Sequence, residues 1–250
     1  MRILLSNDDG YLAPGLEALH RSISTVADTL VVAPDRNRSG ASNSLTLTRP
    51  LRVSRAPNGF MFIDGTPTDC VHIGLTALMD PEPDMVIAGI NHGSNLGDDV
   101  LYSGTVAAAM EGRYLGLPAM AISLAGQNPI HYETAAGVAL ELLERLNTNP
   151  LPRDMILNVN VPDRPQAEIK GFRIARLGNR HKSEPVVRSR DPSGREIFWV
   201  GPAGEEEDGG PGTDFYAISE GYVALTPLQV DLTRHEQLNL LREWLPESSG

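Results

Sequence analysis

Short apolar runs that alternate with helix-spaced apolar residues constrain this chain more than any other feature. Residues 3–5, 30–33, 60–63, 85–88, 120–123 and 155–159 are brief and almost wholly apolar. Each reads as a strand buried on both faces. Between them, 14–27, 68–78, 105–114 and 132–146 carry the helical period, with Pro14 suited to a first turn and Thr68 or Thr66 to a cap. Strands separated by helices predict an α/β fold, with a mainly parallel sheet between two helical layers. Ligands in such sheets bind beyond the carboxyl ends of the strands, so function is sought there.

After about residue 162 the pattern changes. Strand-like runs at 171–176, 186–188, 197–200 and 222–225 follow without helices, 205–212 reads as an acidic, Gly-rich loop, and 235–245 as a closing helix. We expect a core over 1–162 and a β-rich extension over 163–250 that folds on the core or on a partner subunit.

Composition narrows the function classes. The 250 residues carry 21 Lys+Arg against 32 Asp+Glu, a net charge of −11. Long nucleic acid is an unsuitable partner, because its phosphates need many cationic contacts. A small phosphate remains compatible, since a metal or a helix N-terminus supplies local positive charge. The one cysteine, Cys70, excludes a disulfide within the chain and fits a reducing cytoplasm. Three apolar residues before two carboxylates are too few for a signal peptide, and no run approaches a membrane span.

Four segments after strands carry the chemistry. Asp8 and Asp9, in Ser6-Asn7-Asp8-Asp9-Gly10, are adjacent carboxylates at a strand end. A hard divalent cation would keep both ionised, whereas a plain solvated turn explains them equally well in isolation. Arg38-Ser39-Gly40-Ala41-Ser42-Asn43 offers a hydroxyl, an open backbone and amides. In Gly89-Ile90-Asn91-His92-Gly93-Ser94-Asn95-Leu96-Gly97-Asp98-Asp99, Asn91 has a carbonyl for a metal and Asn95 an amide for a phosphate. His92 reads as structural, because its neighbours are oxygen donors, and Asp98-Asp99 as local turn chemistry. Tyr102-Ser103-Gly104-Thr105 opens a helix whose free N–H groups suit an anion. Dinucleotide, Walker-type and nucleophile-elbow motifs do not occur.

With Gly65-Thr66-Pro67-Thr68-Asp69-Cys70 and Gly221-Tyr222-Val223-Ala224-Leu225-Thr226-Pro227-Leu228, these blocks resemble the survival protein SurE family, metal-dependent nucleoside monophosphate phosphatases. The resemblance implies a Rossmann-like core and one divalent cation per subunit, Mg²⁺ or Mn²⁺. Its ligands would be Asp8, Asp9, Ser39 and Asn91, with Asp8 and Asp9 also catalytic. Phosphate contacts would come from Gly40, Asn43, Asn95, Ser103, Gly104 and Thr105. It further implies a homodimer or homotetramer with a C-terminal segment exchanged between subunits. The expected reaction is hydrolysis of nucleoside 5′- and 3′-monophosphates by metal-activated water. The alternative is a phosphate- or nucleotide-binding module without chemistry, for which two carboxylates have no use unless a metal is present.

Overall fold

A computed structural model describes residues 1–180, 185–201 and 204–245. The strands are β1 (Arg2–Ser6), β2 (Asp28–Pro34), β3 (Val53–Arg55), β4 (Met61–Ile63), β5 (Met85–His92), β6 (Ala119–Ala125), β7 (Ile156–Pro162), β8 (Phe172–Ile174), β9 (Asn179–Arg180), β10 (Val187–Arg190), β11 (Glu196–Trp199), β12 (Glu206–Asp208) and β13 (Val223–Leu228). The helices are α1 (Pro14–Ile23), α2 (Pro67–Ile73), α3 (Gly104–Tyr114), α4 (Tyr132–Thr148), α5 (Asp214–Ser219) and α6 (Leu238–Trp244).

Nine strands form one sheet in the order β3-β4-β2-β1-β5-β6-β7-β13-β8. The run from β4 to β7 is parallel, while β3 and β13 oppose their neighbours β4 and β7. Leu16, Leu19 and Ile23 of α1 and Ala135, Ala139 and Leu143 of α4 cover one face. Cys70 and Val71 of α2 and Val106, Ala108 and Ala109 of α3 cover the other. The α/β expectation, with three layers and a mainly parallel sheet, is met. From β1 the chain builds outward through β2 and β4, then returns to place β5 on the other flank of β1. That reversal opens a crevice at the carboxyl ends of β1 and β5.

Several element bounds differ from expectation. α1 stops at Ile23, because residues 24–27 turn back so that Asp28 can donate its N–H to the Met1 carbonyl. α2 is capped by Thr66, reciprocally with Asp69, and widens after Ile73 into a π-helical turn over Gly74–Leu78. β5 runs on to His92, which places Asn91 at a strand end rather than in a loop. Beyond 162 the corrections are larger. Glu206–Asp208, within the expected acidic loop, pairs as β12 with β9, and α5 stands where no helix was expected. β13 and β8 extend the main sheet. The β10–β11 hairpin and α6 lie outside that sheet and expose Phe198, Trp199, Leu241 and Trp244. Among the described residues, no helix is long and apolar enough to cross a membrane.

Candidate active site

Asp8 leaves β1 into a turn that Asn7 closes, its side chain bonding both the N–H and the carbonyl of Gly10. Gly10 has φ +99°, and a Cβ there would lie 3.0 Å from the Arg36 carbonyl carbon. The Asp8 side chain is buried against the start of α3. Thr105 Oγ1 donates to its Oδ1, and a Cβ on Gly104 would lie 2.6 Å from the Asp8 Cβ. Burial pushes the Asp8 carboxyl up to about 6; the Thr105 hydroxyl opposes this, and the charge of Asp9 adds to it.

Asp9 is more open. The His92 N–H donates to its Oδ2 at 2.8 Å, and Asn37 Nδ2 to its Oδ1 at 3.3 Å. Burial raises its pKa, and the His92 N–H and ring lower it. The His92 ring, 2.6 Å from the Tyr132 hydroxyl, ties β5 to the start of α4. His92 therefore acts here through its backbone.

The second segment joins the site by its backbone. Arg38 N–H donates to the Asp8 carbonyl at 2.7 Å, and Ser39 N–H to Asn37 Oδ1 at 2.8 Å. Gly40 has φ +77° and open space where a Cβ would stand. Asn43 turns its amide to Met110 Sδ, and Ser42 Oγ donates to the Leu101 carbonyl at 2.7 Å.

Ser103 caps α3 by accepting the Val106 N–H, and its carbonyl accepts that of Ala107. The Gly104 and Thr105 N–H groups have no acceptor within the helix, and the helix dipole adds positive potential there. The Asn95 side chain is buried, with Nδ2 on Ser123 Oγ at 2.8 Å, while its backbone bonds Asn158 and Asn160. Facing the sheet, it fixes the loop. Thr105 likewise commits its hydroxyl to Asp8.

The structure thus brings together Asp8, Asp9, Asn91, Gly104 and Thr105, with the Ser39–Gly40 turn beside them. Sequence reasoning missed Asn37, Asn7 and Tyr132. Asn7 was signalled by the Asn-Asp-Asp-Gly string, since an Asn three residues before a left-handed Gly commonly closes the turn.

Among the described residues, no group of three or more His, Cys, Asp or Glu side chains is placed to hold a metal. The available set is instead two carboxylates with amide and hydroxyl oxygens. Asn91 spends its Nδ2 on the Gly93 carbonyl at 3.0 Å, which leaves Oδ1 as its acceptor. Such a set fits a hard cation that retains water. Asp8, buried beside a second carboxylate, gains most from a cation.

A carboxylate pair beside a helix N-terminus, at the reversal of a parallel sheet, defines a class: α/β proteins that hold a hard cation and an oxyanion together. The comparisons resolve the class. The survival protein SurE model matches residues 3–184. A protein described as 5′-nucleotidase SurE from Methylococcus capsulatus is 70% identical over 246 residues, covering 98% of each chain. One of the same description from Nitrosococcus oceani is 61% identical over 245 residues, again 98% of each. The crystal structure of the SurE protein from Aquifex aeolicus superposes with a TM-score of 0.87 at 41% identity, over 98% of this chain and 99% of that one. The chain belongs to the survival protein SurE family.

Proposed function

We propose that this chain hydrolyses nucleoside 5′-monophosphates, and 3′-monophosphates as well, to nucleoside and phosphate. Its class of activity follows from its relatives: the chain is a 5′-nucleotidase, a phosphoric monoester hydrolase. The observation that carries the mechanism is the Asp8–Thr105–Gly104 contact, which sets a carboxylate against a helix N-terminus.

Asp8, Asp9, Ser39 and Asn91 are the residues that would hold one Mg²⁺ or Mn²⁺. Such an ion, when bound, polarises a phosphate oxygen and acidifies a water. The Gly104 N–H, with the Gly40 backbone and Asn43 on the facing loop, meets the equatorial phosphoryl oxygens, while the Thr105 N–H faces the Asp8 carboxylate. They are fixed beforehand by the Ser103 cap, so little reorganises as charge moves. Water attacks phosphorus in line, the P–O ester bond breaks, and the ester oxygen leaves with the nucleoside. The proton lost by the water passes by way of the Asp8–Asp9 pair to the departing ester oxygen, which leaves as the nucleoside hydroxyl. Asn95 holds its loop to β6 and β7 so that α3 starts in the right place.

The apolar side chains exposed on the β10–β11 hairpin and α6 support assembly as a homodimer or homotetramer, with this segment exchanged between subunits. A lone, buried Cys70 supports a cytoplasmic setting.

The test is phosphate release from a panel of nucleoside 5′- and 3′-monophosphates with Mg²⁺, Mn²⁺ or EDTA, beside Asp9→Asn. Release that requires both metal and Asp9 is expected. Nucleotide recovered unchanged under every metal, from folded protein, would replace this reading with a binding module.

A further inference from the structure

Among the Phe, Tyr and Trp side chains described in residues 1–162, Tyr102 alone stands exposed. Its residue is 70% exposed, against 7% for Ser103 and 0% for Thr105. The chain turns inward at Ser103 and leaves the Tyr102 side chain on the rim. Other aromatics near the crevice are occupied. Tyr11 stacks on Phe62 with centroids 4.3 Å apart, and Tyr132 bonds His92. Tyr102 has neither a ring contact nor a side-chain hydrogen bond among the described residues. Phe198, Trp199 and Trp244 are exposed too, but lie in the extension.

Its place relative to the reacting group is narrowly set. One residue, Ser103, separates it from Gly104, at most about 7 Å of chain. Gly104 itself abuts Asp8. The backbone beneath the ring is anchored: Tyr102 N–H donates to the Asp99 carbonyl at 3.0 Å, and Ser42 Oγ holds the Leu101 carbonyl. Leu101, also exposed, adds an apolar flank. Tyr102 therefore sits at the seam between the loop carrying Gly40 and the mouth of α3, with its side chain exposed.

We propose that Tyr102 is the platform on which the substrate's base stacks, so that the site takes nucleotides in preference to other phosphomonoesters. This rests on the phosphatase reading of the crevice. A flat ring suits a base because every base has a π-face, and stacking is tolerant of which base is present. Discrimination then falls between nucleotides and simple sugar phosphates, with purines favoured over pyrimidines by stacking area.

The experiment compares wild type, Tyr102→Ala and Tyr102→Phe on a purine 5′-monophosphate and on ribose 5-phosphate, which keeps the phosphate and sugar but has no base. Circular dichroism melting and Mn²⁺ titration calorimetry run beside the kinetics, and at this exposed position both should be unchanged. Tyr102→Ala should raise KM for the nucleotide about tenfold and leave ribose 5-phosphate within twofold. Tyr102→Phe should stay close to wild type on both. Equal losses on both substrates, or an unchanged KM for the nucleotide, would overturn the proposal. Wild-type protein that releases phosphate from neither substrate would overturn the phosphatase reading and the proposal with it.

Discussion

The crevice at the ends of β1 and β5 and the segment after residue 162 invert the usual partition of residues in opposite senses. In the crevice a carboxylate is buried: Asp8 is 3% exposed. On the β10–β11 hairpin and the strand exit after it, apolar groups stand in water: Trp199 is 64% and Val200 89% exposed. Buried charge and clustered exposed apolar surface are the informative departures from the rule. The proposed function supplies each with a complement of its own chemistry, a cation for one and an apolar protein surface for the other. The two regions are also joined. Asp214, at the start of α5, accepts N–H bonds from Gly97, Gly178 and Phe215, at 2.8, 2.9 and 3.0 Å. Arg180 reaches Asp99 at 2.8 Å. The extension therefore holds the loop that leads into α3.

The comparison breaks if the carboxylates are not the chemical centre. Asp8→Asn or Asp9→Asn should lower turnover by roughly a thousandfold or more while the fold persists, and Asp8→Asn should melt no lower than wild type without metal. Near-normal turnover in both variants would remove the distinction between the regions. Next in size is the join. Asp214→Ala orphans three buried N–H groups and should cost about 3 kcal/mol or more in urea melting. Activity should fall as well, because Gly97 loses its anchor; unchanged melting would separate the regions again.

A third expectation concerns pH. The folded pKa of Asp8, about 6, lies above its ordinary 3.8. In metal-free protein its contribution to stability is therefore fully present below 3.8 and lost as pH rises through 6, up to about 3 kcal/mol in all. Conversely, a cation must displace that proton, so Mn²⁺ affinity should fall toward tenfold per unit below pH 6. Calorimetry at pH 5, 6 and 7 checks this, and a flat affinity would contradict it. The smallest effect on the single chain belongs to the hairpin. Trp199→Ser should leave intrinsic stability within about 0.5 kcal/mol, as exposed substitutions do. Analytical ultracentrifugation should show weaker self-association, whereas identical sedimentation would show that the exposed apolar face is not used.

What the sequence made legible follows the same division. Runs such as residues 3–5 and 85–88 are apolar throughout because both faces of the sheet are covered, so the core strands could be read directly. The acid pair was legible because it follows such a strand. The burial of Asn95 was not legible because an Asn in a Gly-rich loop looks solvent-facing; Ser123, Asn158 and Asn160, distant in sequence, hold it inward. The helix α5 was missed because six residues are too few to establish a period, although Thr213 followed by an acid is a fair start signal. β12 was missed because Glu206–Asp208 has no strand propensity of its own and pairs only where the Arg176 guanidinium meets Asp208, at 2.5 Å.

The seat of β13 has a consequence for how the molecule is made. β8 touches the main sheet only through β13, although it precedes that strand by some fifty residues. During translation, Phe172–Ile174 must wait beside an unfinished edge until Val223–Leu228 emerges and slides between it and β7. A nascent chain thus exposes the bare flank of β7 until β13 has been made, and a stop codon shortly before residue 223 would strip two strands from the sheet rather than one.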